Sequence, residues 1–305
     1  MNLFLASVYS SGYLGGTSFK KLVEREKQGV LETENILESY HYIQKGKYVA
    51  LIRQDGRQVF LDSGAFSAHT LGVKMDLRKY VQFIQRNRDI VRTEDDALMA
   101  SVLDGIGDPL KTWQNQLAME ELGVKPLPCF HFGEDIRYLD WYVGRYSYIT
   151  LGGMVGRRSE DLTTWLDQIW ERSLIDGAGR PRLKVHAFGI TNETITTRYP
   201  WWSVDSAAWV QRAAFGMIVH PQWGNIFVSA QSPTRHKEGY HFTNLAPAEQ
   251  ANIVADLEGE GFSLERLSTV GEARTAYNIW AYNQHGKRLH DQALPTFRCE
   301  QPRLF

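Results

Sequence analysis

Short apolar runs recur along this chain, and between them lie stretches whose apolar positions return every three or four residues. The first pattern is that of strands buried on both faces, the second that of helices packed along one face. The runs predict strands at Leu3 to Ser7, Val59 to Asp62, Ala100 to Asp104, Pro126 to His131, Tyr148 to Leu151, Lys184 to Phe188, Trp202 to Asp205 and Ile226 to Ser229. Helices are predicted over Asp76 to Asn87, Lys111 to Leu122, Glu134 to Tyr142, Glu160 to Ile175 and Ala207 to Phe215. Two helix starts carry explicit signals. Asp108-Pro109 supplies a cap followed by proline in the first turn, and Ser159-Glu160-Asp161 places acids there. Eight strands alternating with helices predict an α/β fold, a (β/α)8 TIM barrel. An open doubly wound sheet is the competing arrangement, but no Gly-x-Gly-x-x-Gly follows a strand.

Two regions depart from the repeat. Residues 17–57 read as an insertion after the first strand, with a charged helix around Phe19 to Gln28 and another around Glu32 to Ile43. Tyr48 to Ile52 follows, and Gln54-Asp55-Gly56-Arg57 reads as a hairpin turn back into the second strand. Residues 231–305 read as a helical C-terminal extension. It opens on a polar loop from Ser232 to Lys237 and continues with helices near Leu245 to Glu258 and Gly271 to Tyr282. The expectation is a single domain over residues 1–305.

Composition narrows the function classes. At 305 residues and 43% hydrophobic, the chain can bury a large core. A formal net charge of -1 supplies no global field for nucleic acid, so any such contact must come from local basic patches. Two cysteines, Cys129 and Cys299, exclude a disulfide framework and a cysteine-rich zinc site, and fit a reducing cytoplasm. The apolar run at the N-terminus lacks a preceding basic residue and is too short for a signal or a membrane span. A cytoplasmic protein with no membrane partner is expected.

In a (β/α)8 barrel the chemistry sits at the C-terminal ends of the strands. Those ends read Asp62, Asp104, His131, Gly152-Gly153, His186 with Gly189, and Asp205. Each aspartate has a plainer reading as a cap: Asp62 for the helix after it, Asp104 for the turn Gly105-Ile106-Gly107, Asp205 for the helix from Ala207. Three acids ending three apolar strands also form a buried cluster, in which mutual repulsion drives pKa values apart. Gly64 permits a sharp turn beside Asp62, and Phe66 adds a flat apolar face, a setting for a planar ligand with polar edges. A divalent metal, a hydrolytic glycosidase with two carboxylates, and a base-exchanging glycosidase compete for such a cluster. No His-x-His or His-x-x-x-His spacing occurs, so neither metal nor cofactor is expected.

Leu61-Asp62-Ser63-Gly64-Ala65-Phe66, Leu103-Asp104, Leu151-Gly152-Gly153-Met154-Val155-Gly156, His186-Ala187-Phe188-Gly189-Ile190 and Val204-Asp205-Ser206 follow one another in a telling order. In order and rough spacing they resemble the tRNA-guanine transglycosylase superfamily over residues 1–230. The bacteriophage branch, which exchanges guanine in DNA for 7-deazaguanines, is the most similar. The resemblance implies that Asp205, taken as the end of the seventh strand, is the nucleophile toward C1′ and that Asp62 is the general base. It further implies that Asp104 reads the guanine-type edge and that Gly152 and Gly153 approach the heterocycle. Ser63, Gly64, Phe66, His131 and His186 complete the implied substrate pocket, His131 standing where the family usually has glutamine. Ala65 replaces the family's second glycine, the strand bearing Asp205 is not followed directly by the family's Pro-Thr-Arg, and the zinc subdomain is missing. Loss of that subdomain favours DNA over tRNA as substrate, with a free 7-deazaguanine such as 7-cyano-7-deazaguanine as second partner. If the chain is phage-encoded, its compartment is the host cytoplasm. Exchange on tRNA, or a non-catalytic nucleic-acid-binding subunit, are the alternatives, and a homodimer stands as an option for assembly.

Two further features bear on nucleic acid. Arg157, Arg158, Arg235 and Lys237 are the candidate phosphate contacts, though such pairs are commonly solvated surface. Phe66, Trp209 and Trp201 could support a flipped base, with rim packing as the plainer reading for Trp201 and Trp202.

Overall fold

The computed structural model describes residues 1–190, 193–232 and 241–297. The chain forms two compact units, one of residues 1–6, 35–206 and 290 onward, the other of residues 7–34 and 207–289.

The first unit is a mixed α/β body around seven short parallel strands: β1 (Asn2–Ala6), β2 (Ile36–Ser39), β3 (Phe60–Asp62), β4 (Cys129–His131), β5 (Tyr148–Gly152), β6 (Lys184–Ala187) and β7 (Ser203–Ser206). Their order is β3-β2-β1-β7-β6-β5-β4, so the first and last strands are neighbours and the sheet curls in a barrel-like way. Helices Gly46–Gln54, Leu77–Arg86, Pro109–Glu121, Ile136–Val143 and Ser159–Ile169 lie between strands in the sequence. The local signals work as chemistry demands. Asp108 caps the helix begun by Pro109, its carboxylate accepting from the Lys111 amide, and Glu160 and Asp161 occupy a first turn.

Register explains what the sheet encloses. Phe4 pairs with Asp205, Phe60 with Leu37, Asp62 with Ser39, Cys129 with Thr150 and His131 with Gly152. Paired residues share a face, and every second residue returns to it. Phe4, Phe60 and His186 meet edge to face with ring centroids 4.7–6.1 Å apart. The face filled by these rings therefore also carries Asp62, Cys129, His131, Ser203 and Asp205 toward the C-terminal ends.

The strand expectations need four corrections. Ile36–Ser39 is a strand, β2, within the stretch read as helix. Its four residues are all buried, so no alternation betrays it. Ala100 to Asp104 makes no regular strand; it carries isolated parallel bridges, Ala100 to Leu61 and Ser101 to Leu127. Through them the Ser101 amide donates to Leu61 (2.9 Å) and the Val102 amide to Leu127 (3.0 Å), next to both edge strands. Ile226 belongs to an antiparallel hairpin, Met217–His220 with Gly224–Phe227, and not to the parallel sheet. Among the described residues the sheet has seven regular strands, and Asp205 lies on the last of them, beside β1. Gln54 to Arg57 likewise is no hairpin: Gly56, at φ 64°, follows the C-terminus of a helix.

The second unit packs helices Glu24–Leu31, Pro247–Gly259 and Leu264–Thr269, and most of Gly271–Asp291, with that hairpin. Ile218, Ile226, Ile253, Leu257, Phe262, Tyr277 and Trp280 form its core. Buried Glu26 takes a two-pronged contact from Arg266 at 2.8 and 2.9 Å, satisfying a carboxylate that burial would otherwise penalise. No helix among the described residues is long and apolar enough to cross a membrane.

Candidate active site

The strand-end residues meet within the first unit. β3 ends in Asp62, whose Oδ2 accepts from the Gly64 amide at 2.9 Å, and whose Oδ1 accepts from Ser101 Oγ at 3.4 Å. Ser63 is buried, and its amide donates to the same Ser101 hydroxyl at 2.8 Å. Gly64 takes φ 75°, and a Cβ there would collide with Ser39 Oγ and the His41 side chain. That turn needs glycine on both counts. Burial raises the Asp62 pKa to about 7, with the charges of Asp104 and then Asp205 adding to it. Three carboxyl groups remote in sequence thus share one electrostatic environment.

Asp205 is no helix cap. Ala207 holds the cap position of the next helix, without a side-chain bond from Asp205. Its Oδ1 instead accepts from the Gly189 amide at 2.8 Å and lies 3.3 Å from Nε2 of fully buried His186. His186 Nδ1 is 2.6 Å from Ser203 Oγ, which is hydrogen-bonded with the Tyr148 hydroxyl at 2.7 Å. Hydrogen bonds therefore run from His186 through Ser203 to Tyr148, across β6, β7 and β5, while His186 Nε2 faces Asp205 without a hydrogen-bond partner among the described residues. Serine at 203 and aspartate at 205 are two residues apart, as a shared strand face requires.

Asp104 does not cap its turn either: the Gly105 amide donates to Thr112 Oγ1. Asp104 Oδ2 is 3.5 Å from His131 Nε2, while Oδ1 is buried with no hydrogen-bond partner among the described residues. His131 Nδ1 lies 2.8 Å from Glu134 Oε1, and Nε2 is 3.4 Å from Cys129 Sγ. Burial opposes a charge on His131, but its acidic partners Cys129 and Asp104 outweigh burial and raise its pKa. Burial, then Asp104, pushes the Cys129 thiol up to about 11. Gly152 lies so close that a Cβ would fall 2.9 Å from both Cys129 Sγ and His131 Cδ2; Gly153, at φ 72°, follows.

The remaining expected site residues divide. Phe66 is 67% exposed and keeps a free face, whereas Trp201 and Trp209 are fully buried and unavailable to stack on a base. Arg157 is exposed, its guanidinium 4.9 Å from the Phe132 ring centre. Arg158, also exposed, is engaged by Glu160 at 3.1 Å and Asp161 at 3.4 Å. Arg235 and Lys237 lie outside the described residues. Cys129, Glu134, Ser101 and Ser203 join the site without having been singled out, although Cys129-x-His131 and Ser203-x-Asp205 carry the strand period in plain view. In comparisons with known proteins, no family model and no curated protein matches the chain.

Proposed function

We propose that this protein is a pentosyltransferase that exchanges guanine in DNA for a 7-deazaguanine base through a covalent aspartyl-glycosyl intermediate. The supporting fold reading is a (β/α)8 barrel in which Met99 to Val102 acts as an irregular fourth strand between the two sheet edges. What supports the reaction is that Asp62, Asp104 and Asp205 lie toward the C-terminal ends of one curled sheet, where burial and then the neighbouring acids raise the Asp62 pKa.

In this reading the Asp205 carboxylate attacks C1′ of a nucleotide extruded from the stack. The C1′–O bond forms as the C1′–N9 bond breaks, inverting C1′. Protonated Asp62 gives its proton to the departing guanine and is left as carboxylate. It then takes the N9 proton of the incoming base, whose nitrogen displaces Asp205 and restores the original configuration. A pKa near the working pH lets one group serve as acid and then base. Asp104 Oδ1, lacking a partner, would accept from the N–H donors of the bound base, whose face lies against the Gly152-Gly153 backbone. Exchange in place of hydrolysis demands that water be kept from the intermediate.

Trapping tests the proposal. A labelled guanine-containing DNA, incubated with the protein and a free 7-deazaguanine, is expected to yield a denaturation-resistant adduct that Asp205→Ala abolishes. An adduct that persists in the variant would remove Asp205 as nucleophile. Failure of every DNA to form one would remove the enzyme.

A further inference from the structure

We infer that Asp104, Cys129 and His131 form a binding site for a soft divalent cation, of which Zn²⁺ is the natural occupant. The three donors come from one side of the curled sheet: Cys129 and His131 two residues apart on β4, Asp104 two residues beyond Val102. Cys129 Sγ, His131 Nε2 and a carboxylate oxygen of Asp104 all lie within 4.8 Å of one another.

The spacing suits a tetrahedral ion. With Zn–S near 2.3 Å and Zn–N or Zn–O near 2.1 Å, a tetrahedron has a sulfur–nitrogen edge of about 3.6 Å and a nitrogen–oxygen edge of about 3.4 Å. The distances here are 3.4 Å from His131 Nε2 to Cys129 Sγ and 3.5 Å from the same nitrogen to Asp104 Oδ2. These two edges agree to within about 0.2 Å, and the third, between sulfur and a carboxylate oxygen, is at most 4.8 Å.

A second, independent feature concerns the other ring nitrogen. Glu134 Oε1 sits 2.8 Å from His131 Nδ1. A carboxylate there fixes the tautomer with the proton on Nδ1 and turns the Nε2 lone pair toward Cys129 and Asp104, the arrangement that orients ligating histidines. Gly152 adds room on the remaining side, since a methyl group there would press on Sγ and on the ring. One thiolate, one imidazole and one carboxylate select a borderline-soft ion over magnesium or calcium. Three protein ligands leave a fourth position open, as at sites where zinc holds water or substrate. Asp104 would ligate through Oδ2 while its other oxygen stays free. The site differs in kind from a cysteine-cluster zinc subdomain, which two cysteines could not build.

The proposal stands on donor geometry; it shares Asp104 and His131 with the transglycosylase reading, and its test does not depend on that reaction. Its test is cobalt substitution of the full chain carrying Cys299→Ser, so that Cys129 is the sole thiol. Metal-free protein titrated with Co²⁺ under reducing, anaerobic conditions is expected to take up one ion per chain. It should develop the intense visible bands of tetrahedral cobalt and a near-ultraviolet thiolate-to-cobalt band. Cys129→Ser should remove the ultraviolet band. Glu134→Gln, which leaves all three ligands in place, should weaken affinity by roughly 10–100-fold. Absence of a tetrahedral spectrum, or a thiolate band that survives Cys129→Ser, would overturn the site. Because the readout is spectroscopic, cobalt binding with no DNA adduct would defeat only the reaction, and an adduct without cobalt binding only the metal site.

Discussion

At Asp62 a cost to stability meets the chemistry proposed for the site. Its carboxyl is held at about 7 by burial and by the charges of Asp104 and Asp205, against an ordinary value of 3.8. The folded state therefore binds a proton that the unfolded chain has already lost between those two pH values. Stability associated with Asp62 is fully present below about pH 4 and is lost as pH rises through 7. Asp62→Asn keeps the shape and removes the charge. It should leave the melting temperature near wild type at pH 4.5 and raise it at pH 8, by the equivalent of up to about 4 kcal/mol. Circular-dichroism melts at the two pH values check the sign; a variant less stable than wild type at pH 8 would show that the buried charge is well compensated. Under the proposed transglycosylase reading, the same substitution should slow base exchange by roughly 10²–10⁴-fold, the usual worth of a positioned acid–base group.

Elements decide where such residues end up, and here the sequence was legible only in part. Helix starts could be read directly because a cap is local chemistry: Asp76 and Asp108 each accept backbone amides where their helices begin. The strand ends could be read because an aspartate after an apolar run stands out, and Asp62 and Asp205 do lie on strands of one sheet. β2 was hidden because Ile36, Tyr40 and Ile43 recur at a helical spacing while the four strand residues are buried on both faces. Ile226 to Ser229 misled for the converse reason: an apolar run cannot say whether its partner is a parallel strand or the other arm of a hairpin. Cooperation between neighbouring strands lay beyond reading too, as the hydrogen bonds His186–Ser203–Tyr148 illustrate. Ser203→Ala should destabilise the protein by about 2–3 kcal/mol, because His186 Nδ1 and the Tyr148 hydroxyl lose a buried partner. Adding Tyr148→Phe removes one stranded group, so the double variant should recover part of that loss in urea unfolding. Strict additivity of the two substitutions would mean that the hydroxyls act separately.

At the scale of the whole molecule, a net charge of -1 decides what kind of nucleic-acid binding is open to this protein. Affinity cannot come from a diffuse positive field, so the salt dependence must report a small number of discrete phosphate contacts. Among the two described candidates, Arg158 already faces Glu160 and Asp161, and those acids would have to be displaced before it could serve a phosphate. Arg157 makes no ion pair of that kind among the described residues; it reaches the Gly153 carbonyl at 3.4 Å and lies against the Phe132 ring. That places a cation one short turn beyond the glycine pair at the end of β5, within the first unit and on the same loop as the candidate base pocket. A phosphate held there would fix the backbone of a nucleotide whose base enters the pocket, which is positioning and not sequence reading. If the proposed DNA substrate is right, Arg157→Ala is expected to weaken DNA binding alike for all sequences and to lower the slope of log affinity against log salt by about one. Fluorescence anisotropy across a potassium chloride series measures both quantities. Arg158→Ala, whose charge is already countered, should change the slope much less; an unchanged slope in Arg157→Ala would move the phosphate contact elsewhere on the chain.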